Sequence, residues 1–358
     1  MSELLYSPIT LGSLSLKNRV VMAPMTRSRA IHNLPNALMA TYYAQRAEAG
    51  LIITEGTAPS PNGLGYARIP GLFSHAQMEG WKQVTDAVHA AGSRIFVQLM
   101  HTGRVSHPLN MAPGARVVAP SAVALQGTMY TDAQGPQPYP VPEEMSEADI
   151  EQAIGEYVHA SKLAMEAGFD GVELHGANGY LIDQFLNTAS NKRGDAWGGS
   201  VAGRTRFAKR VAAAVAAAIG GDKVGIRVSP FGAFSGMEAD PEMPALYADL
   251  AAALGEIGLL YIHIVDHSAM GAPPVPAEVK QSIRDAFGRA IILSGGYDAA
   301  RAEADLQAGR GELVAFGRPF ISNPRLVSKM RAGEALAGPD FGTFYTPGEK
   351  GYTDYPLS

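Results

Sequence analysis

The stretch Asp170-Gly-Val-Glu-Leu-His175-Gly-Ala-Asn178-Gly-Tyr180-Leu-Ile-Asp-Gln-Phe-Leu186 decides how the chain folds. A short β-favouring run ends in polar side chains, a glycine-containing turn follows, and apolar residues then recur at helical spacing. The same unit repeats. Strand-like runs stand at Arg19–Met22, Leu51–Thr54, Arg94–Met100, Gly171–His175, Val224–Val228, Leu259–Val265, Ala290–Leu293 and Glu312–Phe316. Between them, Phe207, Val211, Val215 and Ile219 fall at i, i+4 spacing, and Ser146 with Asp149 forms a capping pattern before an amphipathic run. Eight strand-then-helix units predict an α/β protein built as a closed parallel (β/α)8 barrel of the TIM type.

The starts of these runs lie 32, 43, 77, 53, 35, 31 and 22 residues apart, so one βα unit is far longer than the rest. That unit holds an insertion after the third strand, residues 104–145, with seven prolines and no sustained periodicity, read as a loop with a hairpin over one end of the barrel. Alternating polar and apolar residues up to Leu16 suggest an N-terminal hairpin. The whole chain, 1–358, is expected to be a single domain whose tail, 341–358, lies near the active site. An open doubly wound sheet is the competing arrangement. Its dinucleotide-binding form needs G-x-G-x-x-G after a strand, which is absent, as is a Walker A loop.

Among 358 residues there are 29 basic and 34 acidic side chains, and the basic ones are scattered, so no nucleic-acid face is apparent. The absence of cysteine excludes disulfides, thiolate nucleophiles and ordinary iron–sulfur clusters. The longest apolar run, Val211–Ile219, is nine residues, short of the ~20 that span a bilayer. No basic segment followed by a long apolar run marks a signal peptide, and a cytoplasmic location is expected. Small-molecule chemistry is the default, with no nucleic acid or membrane as partner. Nothing in the composition specifies an oligomeric state.

In a (β/α)8 barrel reactive groups gather at the C-terminal ends of the strands. At the fourth strand, His175 and Asn178 can aim N–H donors at one carbonyl oxygen, while the Tyr180 hydroxyl can give a proton to carbon. His175 could equally satisfy a core hydrogen bond, with Tyr180 packing at a helix start. No second His or carboxylate stands at ligand spacing, so no metal is expected. Gln98 and Met100 alternate onto one side of the third strand. Gln98 could make an interlayer hydrogen bond or pair with an amide-like ring edge. Arg227 sits on the fifth strand where aliphatics are usual, and a buried guanidinium needs an anion: Glu173, or an electron-rich cofactor. Gly295-Gly296 and Gly317-Arg318 end the last two strands, where phosphate often docks in this fold, although glycines also make plain turns and Arg318 could be a solvated charge.

Six motifs tie these residues together: Val21-Met-Ala-Pro-Met-Thr-Arg27, Val97-Gln-Leu-Met-His-Thr-Gly-Arg104, Val172-Glu-Leu-His-Gly-Ala-Asn-Gly-Tyr-Leu-Ile-Asp-Gln-Phe-Leu186, Asn191-Lys-Arg-Gly-Asp195, Phe316-Gly-Arg-Pro-Phe-Ile-Ser-Asn-Pro324 and Gly351-Tyr-Thr-Asp-Tyr-Pro356. In this order they resemble the Old Yellow Enzyme family, from Leu5 to the C-terminus. The resemblance implies non-covalent FMN, reduced by NADPH or NADH and reoxidised by an activated alkene such as an α,β-unsaturated carbonyl or a maleimide, with nitro compounds and nitrate esters as further oxidants. It implies that Pro24, Thr26, Gly56, Gln98 and Arg227 line the flavin ring, and that Gly295, Gly296, Gly317 and Arg318 surround its phosphate. His175 and Asn178 would bind the substrate oxygen and Tyr180 would protonate the α-carbon, with Tyr66, Met100 and Tyr345 lining the substrate cavity.

Two positions depart from the family pattern. Met100 stands where many bacterial relatives carry Trp, which should reshape the pocket, and Asn178 stands where some relatives use His. Related enzymes with an added iron–sulfur cluster need cysteines that this chain lacks. A flavin-binding protein of the same fold without turnover is the alternative, since every binding residue could be retained with the acid unused.

Overall fold

The computed structural model describes residues 3–357; Met1, Ser2 and the last residue of the expected tail, Ser358, lie outside the described residues. Among the described residues fourteen strands run in chain order: β1 Ile9–Leu11, β2 Leu14–Leu16, β3 Val20–Met22, β4 Leu51–Thr57, β5 Arg94–Leu99, β6 Val118–Ala119, β7 Thr128–Thr131, β8 Gly135–Pro138, β9 Glu143–Glu144, β10 Gly171–Gly176, β11 Val224–Val228, β12 Tyr261–Val265, β13 Ala290–Ser294 and β14 Leu313–Phe316. Eight of them, β3, β4, β5 and β10 to β14, are those expected from the sequence, and each pairs in parallel with the next until β14 closes on β3. The strands expected at Arg19, Leu259 and Glu312 begin one or two residues later, and β4 runs three residues past Thr54.

The helices are α1 Ala37–Gln45, α2 His75–Ala90, α3 Glu147–Glu166, α4 Leu181–Leu186, α5 Val201–Ile219, α6 Met243–Ile257, α7 Ala277–Phe287, α8 Ala299–Gln307, α9 Arg318–Ser322 and α10 Leu326–Ala332. Helix α3 starts at the expected capping box: Ser146 Oγ accepts from the Asp149 amide and Asp149 accepts from the Ser146 amide. Phe207, Val211 and Val215 of α5 are buried as one stripe against the barrel, consistent with their spacing. The expected N-terminal hairpin is β1 paired with β2. Its Leu14 and Leu16 pack with Val21, Ile53, Phe96, Tyr261 and Ile292, so an apolar plug fills the N-terminal end of the barrel. Room for this plug comes from small residues: a Cβ at Gly225 would overlap the Tyr261 ring. The insertion contains the β7–β8 hairpin and a short parallel pair, β6 with β9.

With the lower barrel filled by hydrocarbon, the next inward-facing positions carry polar groups. Gln98 pairs with Glu173 in strand register, and Arg227 pairs with both His175 and His263. Among the described residues no helix is long and apolar enough to cross a membrane.

Candidate active site

A cavity of about 650 Å³ opens at the C-terminal ends of the strands, within the ~300–1,000 Å³ typical of small-ligand and cofactor sites. Nine of the residues singled out from the sequence line it: Pro24, Thr26, Asn178, Arg227, Gly295, Gly296, Gly317, Arg318 and Tyr345. Gly56, Tyr66, Gln98, Met100, His175 and Tyr180 do not. Met100 packs with partly buried Tyr66 and Tyr180, and Gly56 faces the Met100 side chain so closely that a Cβ would collide with it. The two groups are contiguous: His175 is the register partner of Arg227, its ring lies 4.8 Å from that of Tyr180, and Asn178 follows three residues later.

Glu173 is not the partner of Arg227. One carboxylate oxygen accepts from Gln98 Nε2 at 2.8 Å; the other accepts from the Tyr261 hydroxyl at 3.1 Å and meets His263 Nδ1 at 2.9 Å. Gln98 thus makes an interlayer hydrogen bond through Nε2, while its Oε1 takes none among the described residues. Arg227 is 7% exposed, its Nε has no hydrogen-bond partner, and burial lowers its pKa despite the pull of the Glu173 charge. A buried guanidinium whose Nε lacks a partner on a cavity wall is costly unless an electron-rich group enters that cavity.

At the end of β13 in the same cavity, Gly295 and Gly296 have φ of +133° and +62°, and a Cβ on either would strike Asp266 or Ala269, so only glycine fits this cradle. Arg318 lies beside it with its guanidinium over the Phe341 ring. Asp266, the acid in this wall, is held by Lys280 Nζ at 2.6 Å and the Ser268 amide, which offsets its repulsion of an anion. The donor set fits an elongated group with an electron-rich ring at Arg227 and a phosphate at the glycine cradle, as in FMN.

His175 accepts from the Ala177 amide at Nδ1, 3.4 Å, which leaves Nε2–H as the free donor. Burial first, and then Arg227, hold its pKa well below the ordinary value, so the ring stays neutral. Tyr180 and Tyr66 hydroxyls lie 3.0 Å apart, and burial pushes Tyr180 up to about 12. Asn178 adopts a left-handed φ of 60°; its amide donates to Ser229 Oγ at 2.9 Å, and the next amide, Gly179, donates to Asp183.

Among the cavity residues missed from the sequence, one stands in contact with a predicted site residue. His267, after β12, places Nε2 2.6 Å from Asn178 Oδ1. Its signal was available, since Asp266-His267 is a polar pair at a strand end, the criterion applied to the other strands.

The tail completes the wall. Phe341, Phe344 and Tyr345 line the cavity, held by two buried arginines of the β3–α1 loop. Arg29 donates to the carbonyls of Thr343, Phe344 and Lys350, and Arg27 to those of Phe344 and Gly351.

Residues 4–337 match the family described as NADH:flavin oxidoreductase / NADH oxidase. The chain is 39% identical to a probable flavin mononucleotide-dependent alkene reductase of Leishmania infantum, covering 99% of this chain and 98% of the relative. Its structure is similar to that of morphinone reductase in complex with tetrahydroNAD, with a TM-score of 0.93, 44% identity and 98% and 97% of the two chains covered. It is also similar to the old yellow enzyme homologue of Zymomonas mobilis, with a TM-score of 0.95, 38% identity and 99% of each chain covered.

Proposed function

The chain belongs to the NADH:flavin oxidoreductase / NADH oxidase family, as a flavin-dependent reductase of activated alkenes, and on that premise we propose how its own residues do the work. FMN, when bound, supplies hydride chemistry between NADH or NADPH and an alkene. Gly295, Gly296, Gly317 and Arg318 hold its phosphate, and Pro24, Thr26, Gly56, Gln98 and Arg227 hold its ring. The observation that carries this reading is the buried Arg227 Nε without a hydrogen-bond partner, on the wall of the same cavity as the glycine-only turn Gly295-Gly296.

His175 Nε2–H and the Asn178 amide hold the carbonyl oxygen of an α,β-unsaturated substrate and stabilise negative charge as it develops there. Their neutrality matters: uncharged donors strengthen toward the enolate without protonating it. Tyr180 holds its proton on Oη and passes it to the α-carbon. Tyr66, Met100 and Tyr345 shape the substrate space, with the tail, 341–358, as its outer wall. Cyclic enones and maleimides are the expected substrates, with nitro compounds or nitrate esters as further oxidants. The protein works in the cytoplasm as one domain, 1–358.

The test is anaerobic. Purified protein is expected to bind FMN, to lose its yellow colour on adding NADPH or NADH, and to regain it with 2-cyclohexenone. Protein that neither carries nor takes up FMN would overturn the assignment.

A further inference from the structure

We propose that His267 is a positioning residue, locking the Asn178 carboxamide so that its amino group faces the substrate oxygen. The proposal rests on the donor role given to Asn178 above. A carboxamide is nearly symmetric in shape, yet only one of its two orientations presents N–H donors to a carbonyl; the other presents an oxygen, which repels it. Backbone contacts do not choose between them. The Asn178 amide bond to Ser229 Oγ and the Gly179 amide bond to Asp183 fix the left-handed turn but touch neither side-chain terminus.

His267 makes the choice. Its Nε2 lies 2.6 Å from Asn178 Oδ1, an atom that only accepts, so Nε2 carries the hydrogen and the amide oxygen is engaged away from the substrate. Turning the amide over would set its NH2 against Nε2, and the imidazole would have to move its hydrogen to Nδ1 to receive it. The imidazole is itself held: the Phe234 ring packs edge to face on it at 4.5 Å, and the preceding Asp266 is tied to Lys280 and the Ser268 amide. Burial, followed by the Arg227 charge, lowers the His267 pKa to about 4, against a smaller opposing pull from Asp266. The donor is therefore a neutral imidazole through the working pH range, and its hydrogen bond also polarises the amide toward stronger donation from Nδ2.

The experiment is single-turnover oxidation of the NADPH-reduced holoenzyme by 2-cyclohexenone, with flavin content measured for each variant. His267→Phe keeps a ring against Phe234 and removes the donor; His267→Gln keeps a donor. The Phe variant is expected to oxidise roughly tenfold more slowly, as for loss of one ordinary hydrogen bond, and the Gln variant to recover most of that rate. In an Asn178→Ala background, His267→Phe is expected to add no further loss. Equal impairment of the Phe and Gln variants overturns the proposal, as does a loss of the same size with and without Asn178. An Asn178→Ala enzyme as fast as the parent would instead remove the donor role itself, and the assignment of His267 with it.

Discussion

The hydroxyls of Tyr66 and Tyr180 lie 3.0 Å apart, with their rings edge to face at 82°. When Tyr66 is the donor in this pair, Tyr180 keeps its own hydrogen for another acceptor. Burial raises both phenols above their ordinary value, Tyr180 to about 12, so the pair is a store of protons at neutral pH rather than a source of phenolate.

Replacing Tyr180 by Phe is therefore expected to slow reoxidation by 2-cyclohexenone by roughly 10²- to 10⁴-fold, the usual scale for loss of a positioned acid. Flavin reduction by NADPH should change little. Stopped-flow measurement of the two half-reactions separates them, and equal losses in both would count against the proton-donor role.

Arg227 has the opposite energetics with and without cofactor. Arg227→Met removes an unpaired buried charge, so the apoprotein should unfold in urea at the same or higher concentration than the parent. FMN affinity should fall by roughly 10- to 100-fold, the scale of a lost hydrogen bond from a charged donor. Fluorescence titration of released FMN reads the second effect. A less stable apoprotein with unchanged FMN affinity would contradict this account.

Asp183 is 3% exposed and burial pushes its pKa up to about 7, against the bonds from Gly179 and Ser229 that favour the carboxylate. Because the folded value lies above the unfolded one, the folded state binds more protons between about pH 4 and 7, and this group's contribution to stability falls as pH rises through that window. Asp183→Asn removes the titration. The variant should gain on the parent by of order 3 kcal/mol in going from pH 4.5 to pH 8. Urea unfolding at the two values measures it, and a pH-independent difference would refute it.

The tail depends on Arg29. With this guanidinium removed, the carbonyls of Thr343, Phe344 and Lys350 lose their shared donor, and the cavity wall made by Phe344 and Tyr345 loosens. Arg29→Ala is expected to raise the KM for 2-cyclohexenone and to speed trypsin cleavage at Lys350 by at least ~10-fold, since cleavage follows the population of the opened state. Unaltered proteolysis would show that the tail is held by other contacts.

Sequence periodicity by itself determined the barrel. Eight short β-favouring runs separated by helix-period segments have few other ways to bury both faces of a parallel sheet, and strand ends then mark where polar groups collect. His175, Asn178, Arg227 and the paired glycines could be picked out on that ground alone. What required the folded chain was the partner of each polar group. Glu173 could have served Arg227, yet Tyr261 and His263, some ninety positions away, take its second oxygen and leave the guanidinium to the cavity. His267 and Asn178, and likewise Arg29 and the tail, meet only because barrel closure brings distant strand ends and the C-terminus to one mouth. Periodicity is local and fixes which way a side chain points; hydrogen-bond pairing is set by register and closure, which no local pattern encodes.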